Sequence, residues 1–565
     1  MAGEVALRPM TQGSPRPSTA SPHVATPAPS PQLWLSWRES WELGAISGLL
    51  LAMCFPSLDW NWLCWVALVP LLLICLRAAS ASRALAGGYL AGIVFFVASC
   101  PWIYHAVHVY GGLPAWQGVL VLALFVVLMG AFFALFGVLG YALARRVPCP
   151  WLALPALWVA IEWLRTYVPF GGFPWNLLGY AGIDHAGFML SATVSGVYGA
   201  GFLIALENSV LAWYIAQLAL ARRPLYRTAM IAPFAVWAVV VGFASFPYDP
   251  PTMVPASLQA VLVQPNASLD AAWTPSSFAA YLADLARISH PAPASSSIPP
   301  ALVLWPESPA PLDYAAEPSL RQSLAALAQS AHAEILLGET TLLDPTAPSG
   351  AQQPANAALL IHPDGSPGRR YDKVHLVPFG EYVPLPAWME RIGGIGKMVQ
   401  QAGDFVPGRG PVLFHYQPAA AASIAPDPRF AALICYESIF PQLARREVAA
   451  GAQWLVNLSD DGWYGQSSAR PQGLMMARMR SIENRRWLLR DTNNGLTAII
   501  DPYGRVAAAL PRDRRAALRG TFAARTDTTF YTRHGDWLPL VATIFVAALF
   551  GLALAKRRPD PRPHE

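Results

Sequence analysis

Charge is what this chain has least of. Asp, Glu, Lys and Arg make up 13% of 565 residues, while apolar side chains make up 54%. Charge that sparse among so much apolar side chain excludes a disordered protein and points to segments inside a membrane. The formal net charge of +5 is small for the length and gives no basis for nucleic-acid binding. Cysteine is scarce as well. The six are Cys54, Cys64, Cys75, Cys100, Cys149 and Cys435, and the first five lie in or beside apolar runs, which leaves no framework of paired cysteines outside them. No His/Cys group has metal-site spacing and no Gly-rich loop has the pattern that cradles phosphate, so neither a metal nor an organic cofactor is expected. The first apolar run starts well inside the chain and leads into others, unlike a cleavable signal peptide.

What is present is a series of apolar runs. With about 20 apolar residues needed to cross a bilayer core, candidate spans fall at 42–56, 61–77, 83–104, 116–144, 150–165, 190–220, 228–247 and 537–555, the first, second and fifth being short. The basic residues sort by connection. Arg77 and Arg83 follow the second span, Arg145 and Arg146 the fourth, Arg222, Arg223 and Arg227 the sixth, and Lys556, Arg557 and Arg558 the eighth. The connections "PSLDWN" and "HAVHVYGGLPAW" have neither Lys nor Arg, and the loop after the fifth span has only Arg165 near its start. Because Lys and Arg mark cytoplasmic loops, both termini are expected inside a bacterial inner membrane and the long segment after the seventh span outside, in the periplasm. The organisation expected is a disordered cytoplasmic tail over 1–40, seven transmembrane helices over 41–247, an external domain over 248–536, an eighth helix over 537–556 and a cytoplasmic tail over 557–565. The first tail is expected to be disordered because it is rich in Pro, Ser, Thr and Ala and has no hydrophobic period.

The external segment alternates strands and helices. "SLQAVLVQPN", "PALVLWPES", "AEILLGET", "RFAALICYES" and "AQWLVNLSDDGW" read as strands, "SFAAYLADLARISH" and "PQGLMMARMRSIENRRWLLR" as helices, and Asp364-Gly365 as a hairpin turn. Such alternation implies a layered α/β domain. Three polar groups follow apolar strands in it: Glu307 in "LVLWPESP", Lys373 in "RRYDKVHLVPFGEYVP" and Cys435 in "ALICYESIF". Each alone has an ordinary reading, as a loop carboxylate, a surface lysine and a small core thiol. Together they supply a nucleophile, a base and a cation for a developing oxyanion, at strand ends where α/β sheets place their ligands.

In that order and those contexts, Glu307, Lys373 and Cys435 resemble the Glu-Lys-Cys triad of the nitrilase superfamily. "AIEWLRTYVPFGGFPWNLLGY", "KVHLVPFGEYVP", "CYESIFP", "DDGWYG" and "ARMRSIENRRWLLRDTNNG" are similar to signatures of the apolipoprotein N-acyltransferase family within it, a likeness covering nearly everything from about residue 40 to 556. The resemblance implies a multi-span α-helical membrane bundle joined to a nitrilase-like αββα sandwich. It implies Cys435 as nucleophile, Glu307 as general base and Lys373, with the backbone N–H after the cysteine, as stabiliser of the oxyanion. Glu381, Tyr436 and Glu437 match supporting positions of the family, and Trp273 and Trp463 match positions near its substrate, although Trp273 also reads as an ordinary core Trp. Ala272 stands where the family usually has Lys, and Gly473 where it commonly has His. The partners implied are a phospholipid acyl donor, phosphatidylethanolamine in the family, and a diacylglyceryl apolipoprotein acceptor, both met at the membrane and linked by a thioester. A membrane-tethered amidase is the rival that shares the triad, and a non-enzymatic scaffold or transporter the rival that does not need it. Glu162 and Arg165, at i and i+3 on one helix, have the spacing of a salt bridge, either structural or in contact with substrate.

Overall fold

The computed structural model describes residues 34–220, 258–290, 302–307, 312–343, 352–384, 405–417 and 427–555, with Ala310 and scattered positions between 231 and 242. Of the tails expected over 1–40 and 557–565, the residues before 34 and after 555 lie outside the described residues, as does most of the seventh span, whereas residues 37–40 are not a disordered tail but open a helix capped by Ser36.

The N-terminal part is helical: α1 (Trp37–Met53), α2 (Val69–Arg77), α3 (Ala81–Ser99), α4 (Ala115–Ala144), α5 (Pro150–Arg165) and α6 (Ala192–Leu220). Their starts follow local chemistry. Ser36 caps α1 and exchanges hydrogen bonds with Glu39, Ser80 caps α3, and Pro150 opens α5 where a missing N–H costs nothing. Among the described residues four helices are long and apolar enough to cross a membrane: α3, α4, α6 over Ala192–Leu218, and a C-terminal helix at Trp537–Ala555. Helices α1 and α5 are shorter, at 17 and 16 residues, and α2 follows a 3₁₀ turn at Asn61–Trp65.

Helix α3 is the hub of this bundle because the first part of its buried face has only small residues, Ala84, Gly87, Gly88, Ala91 and Gly92, before Phe95 and Phe96. A Cβ built on Gly44 of α1 would lie 2.3 Å from the Gly87 carbonyl oxygen, and one on Gly137 of α4 would lie 2.3 Å from that of Ala84. Backbones this close gain dispersion contacts that larger residues would forbid, which is how apolar helices associate where lipid removes the hydrophobic drive.

Beyond residue 257 the chain builds two six-stranded sheets. The first is ordered β12-β1-β2-β3-β4-β5 from β1 (Leu258–Gln264), β2 (Leu302–Trp305), β3 (Ile335–Leu342), β4 (Pro354–Ile361), β5 (Pro367–Asp372) and β12 (Ala516–Phe522). The second is ordered β11-β10-β9-β8-β7-β6 from β6 (Leu413–His415), β7 (Arg429–Ile434), β8 (Trp454–Ser459), β9 (Leu488–Thr492), β10 (Ala498–Ile500) and β11 (Val506–Ala509). Strands β1, β2 and β3 run parallel, as do β7, β8 and β9. Asp364 Oδ1 accepts from the Ser366 N–H at 2.8 Å, and Gly365 at φ +85° turns the chain from β4 into antiparallel β5.

Leu262, Leu304, Phe430, Val456 and Leu489 form the core between the sheets. Helices α7 (Pro275–Ser289) and α8 (Pro318–Ala331) cover the outer face of the first sheet, and α9 (Pro441–Ala449) with α10 (Ala469–Asn484) that of the second, giving an αββα sandwich. The chain ends in α11 (Trp537–Ala555), which packs on α5. Helix α10 also faces the bundle. Its Gln472 amide donates to the carbonyls of Pro56 and Ser99 at 2.6 and 3.1 Å and its oxygen accepts from Trp175 Nε1 at 2.6 Å, while Glu483 accepts from the Val197 N–H at 2.8 Å.

Gly44→Val and Gly137→Val are each expected to lower the thermal midpoint of the detergent-solubilised protein, by about 1–3 kcal/mol of overpacking. Calorimetry or intrinsic fluorescence checks this, and unchanged midpoints would refute the close approach of α1 and α4 to α3.

Candidate functional site

Glu307, Lys373 and Cys435 come together at one end of the sandwich. Glu307 lies just beyond β2 and Lys373 directly after β5, both from the first sheet, while Cys435 directly follows β7 of the second. The chain reverses sharply at the cysteine: φ is extended at Ile434, +51° at Cys435, and a 3₁₀ turn runs over Cys435–Ile439. A non-glycine residue in the left-handed region carries strain that the surroundings must hold. Glu437 supplies the hold. Its Oε2 accepts from the Ile434 N–H at 2.7 Å and its Oε1 from Tyr371 OH and the N–H groups of Val374 and His375 at 2.9, 2.8 and 3.0 Å. One carboxylate thereby locks the end of β7 to the end of β5 across the two sheets.

Lys373 is 1% exposed. Its Nζ donates to Glu381 Oε1 at 2.7 Å and lies 3.9 Å from Glu307 Oε1. Asn356 of β4 bridges the two acids, its Nδ2 donating to Glu307 Oε1 at 2.7 Å and to Glu381 Oε1 at 2.9 Å. The far oxygens are fixed by backbone: Asp460 N–H donates to Glu307 Oε2 at 2.8 Å and Val377 N–H to Glu381 Oε2 at 2.7 Å. Burial alone would pull the Lys373 ammonium down, but Glu381 and Glu307 hold it above the ordinary lysine range, so it stays charged.

The thiol behaves oppositely. Cys435 is 9% exposed, and burial, reinforced by the charge of Glu307, pushes it well above the ordinary thiol value against the pull of Lys373. Burial thus favours the protonated thiol, while the charges of Glu307 and Lys373 act on it in opposite directions. Ser459, the last residue of β8, lowers the thiol against that trend and donates through Oγ to Asp461 Oδ1 at 2.9 Å. Asp461 is gripped by both oxygens from Arg490 Nη2 at 2.8 and 2.9 Å.

Asn356, Ser459 and the Asp461–Arg490 pair were not singled out in the sequence. Only Asn356 left a signal, as a lone amide inside the otherwise apolar "PANAALLI", where a buried polar group demands partners. Of the remaining expected residues, Tyr436 is buried and its OH donates to the Gly172 carbonyl at 3.2 Å. Trp273 is half-buried and packs on Tyr281 and Phe278 at the edge of the outer core over the first sheet. Trp463 is 47% exposed and meets Tyr110 edge-on at 5.9 Å. Ala272 is exposed, and Gly473 faces the Arg490 guanidinium. Glu162 and Arg165 form no ion pair: Arg165 Nη1 donates to the carbonyls of Phe173 and Trp175, both at 3.0 Å, and Glu162 Oε1 accepts from the Leu178 N–H at 2.8 Å. The turn that follows α5 offers both groups backbone partners, and these replace the pair.

A family model described as "Apolipoprotein N-acyltransferase N-terminal domain" matches residues 47–210, and one described as "Carbon-nitrogen hydrolase" matches residues 263–523. A protein of Geobacter metallireducens named apolipoprotein N-acyltransferase is 34% identical over 526 residues, covering 91% of this chain and 95% of its own length. One of Methylococcus capsulatus with the same name is 32% identical over 534 residues, covering 93% and 97%. Among solved structures, a Nesterenkonia amidase of the nitrilase superfamily is similar at a TM-score of 0.34 and 18% identity, over 51% of this chain and 95% of that one.

Asp460, whose N–H holds Glu307, gives a pH signature. Burial and the charge of Glu307 push its carboxyl up to about 8, whereas the unfolded group titrates near ~3.9. Between those values the folded protein keeps a proton that the unfolded chain has lost, so stability falls as pH rises through the interval and levels off above it. Glu447, also pushed up to about 8 by burial, adds a slope of the same sign. Thermal melts from pH 5 to 8 should therefore show a declining midpoint, and Asp460→Asn should flatten it by about 1.4 kcal/mol per pH unit. An unchanged slope would mean that Asp460 is ionised throughout.

Proposed function

The chain belongs to the apolipoprotein N-acyltransferase family, and from that premise we propose how its own residues carry acyl transfer in lipoprotein maturation. The observation that bears the reading is the convergence of Glu307, Lys373 and Cys435, from both sheets, on one buried spot.

In the first half-reaction Cys435 Sγ attacks the ester carbonyl carbon of a phospholipid while Glu307 takes the thiol proton. The oxyanion that forms is received by the Lys373 ammonium and the Tyr436 N–H, a cation and a donor already in place before charge develops. Collapse expels the lysophospholipid oxygen, which takes the proton back from Glu307, and leaves an acyl thioester on Cys435. In the second half-reaction the α-amino group of a diacylglyceryl-cysteine attacks the thioester. Glu307 takes a proton from the attacking nitrogen and passes it to the departing sulfur, and the acyl group ends as an amide. Glu381 orients Lys373, and Glu437 with Tyr436 keeps the nucleophile turn in shape. Phosphatidylethanolamine is the donor proposed.

The membrane setting is supported by the apolar helices α3, α4, α6 and α11. The distribution of Lys and Arg supports an inner-membrane protein with both termini in the cytoplasm, helices within 41–247 and 537–556, and the domain over 248–536 in the periplasm. Reporter fusions in the 220–227 connection and after residue 556 should report cytoplasm, and fusions within 248–536 the periplasm. A cytoplasmic signal from the latter overturns the orientation.

The chemical test is intact-protein mass spectrometry on enzyme given phospholipid and no acceptor. It should show an adduct of one fatty acyl group that hydroxylamine removes, with lysophospholipid in equal amount. A diacylglyceryl peptide with a free amino terminus should discharge it, and an N-acetylated peptide should not. Cys435→Ala should form no adduct and Glu307→Gln should form it at least about 10²-fold more slowly. Discharge to water as readily as to the peptide would instead indicate an amidase-like hydrolase.

A further inference from the structure

We propose that the bundle loop at residues 170–172 is a positioning element of the acyl-transfer site, acting through the neighbours in sequence of Glu381, Lys373 and Cys435. The contacts come in strict order along three consecutive residues. The Phe170 carbonyl accepts from Tyr382 OH at 3.3 Å, and Tyr382 directly follows Glu381. The Phe170 ring also meets that of Phe379 edge-on at 5.6 Å. Gly171 lies against the imidazole of His375, two residues after Lys373, so closely that a Cβ on Gly171 would come within 3.1 Å of Cε1. The Gly172 carbonyl accepts from Tyr436 OH at 3.2 Å, and Tyr436 directly follows Cys435.

The loop is tied back to the helix it follows. All three of its residues have positive φ, at +52°, +86° and +97°. The Gly172 N–H donates to the Pro169 carbonyl at 2.8 Å, and the Phe173 N–H closes back on the Arg165 carbonyl at 2.8 Å. Arg165 then fixes the Phe173 and Trp175 carbonyls from beneath. The loop is thus tied to the end of α5, and its two outward carbonyls are held where the tyrosines reach them. On the other side, Tyr436 contributes the peptide N–H that faces the oxyanion, so the aim of that donor is set partly by where its phenol is anchored. His375 is a packing contact; its Nε2 is buried and has no hydrogen-bond partner among the described residues. In the bundle, Gly171 and Gly172 are therefore positioning residues for a reaction whose chemical groups all lie in the sandwich.

This inference rests on the reading of Cys435, Glu307 and Lys373 as the reacting groups, and the experiment separates the two. Full-length enzyme in nanodiscs containing phosphatidylethanolamine is rapidly quenched, and the rate of acyl-adduct formation on Cys435 is read by mass for the parent, Gly171→Ala, His375→Ala, the double variant and Tyr382→Phe. Gly171→Ala should slow acylation roughly tenfold or more with the donor KM little changed, because a displacement well under 1 Å at the site is enough. His375→Ala should cost less and, added to Gly171→Ala, should restore much of the lost rate, which strain at residue 171 alone would not allow. Tyr382→Phe removes one hydroxyl and leaves the fold alone, so it decides the matter if Gly171→Ala does not fold; its acylation should slow severalfold at unchanged KM. Parental rates in Gly171→Ala or in Tyr382→Phe, or losses that simply multiply in the double variant, overturn the loop's role. A parent enzyme with no adduct on Cys435 overturns the catalytic reading itself.

Discussion

A lysine ammonium removed from water sets the terms for the site. Lys373 at 1% exposure is tolerable only because Glu381 lies at 2.7 Å and Glu307 at 3.9 Å. Breaking a buried ion pair by deleting one partner costs about 3–5 kcal/mol, so the geometry around the ammonium is enforced by stability as well as by chemistry. Burial raises the Cys435 thiol, with the charge of Glu307 adding to that and Lys373 opposing it. Asn356 and the backbone N–H groups of Asp460 and Val377 complete the arrangement by fixing each acid's orientation.

The second constraint is that the three clustered groups, Glu307, Lys373 and Cys435, come from different sheets. The sheets meet through apolar side chains, which resist sliding only weakly, so register between β5 and β7 needs a directional lock. Glu437 is that lock, with four donors on one buried carboxylate. Burial pushes its carboxyl above the ordinary range, opposed by the N–H donors of Ile434 and His375. Its place two residues after Cys435 means that the strained turn and the inter-sheet lock are one device.

Much of this was legible in the sequence. A polar residue placed shortly after an apolar strand is a local signal that Glu307 and Cys435 carry and Lys373 does not, because β5 before it is an edge strand with alternating exposure and two arginines rather than an apolar run. The layered α/β domain followed from strand and helix periods alone. What stayed hidden depends on partners far apart in the chain. The contacts Tyr382–Phe170 and Tyr436–Gly172 span 212 and 264 residues, and no local pattern announces them. The i,i+3 spacing of Glu162 and Arg165 was a true statement about a helix and a poor guide to pairing, because the turn after α5 presents carbonyls and an N–H that the spacing rule ignores. Trp273 could not be placed from sequence, since an aromatic next to a helix start has the same signature whether it caps a core or lines a site.

Helix α10 has an evolutionary consequence. One of its sides belongs to the second sheet and the other to the bundle, where Gln472 and Glu483 satisfy backbone groups and an indole that have no water to turn to. Here the sequence of α10 and those of the membrane segments are bound to change in concert, so the two halves cannot be exchanged between distant lineages as independent cassettes. Recombination between such genes would be expected to keep its breakpoints out of the stretch that joins Pro56 to Glu483.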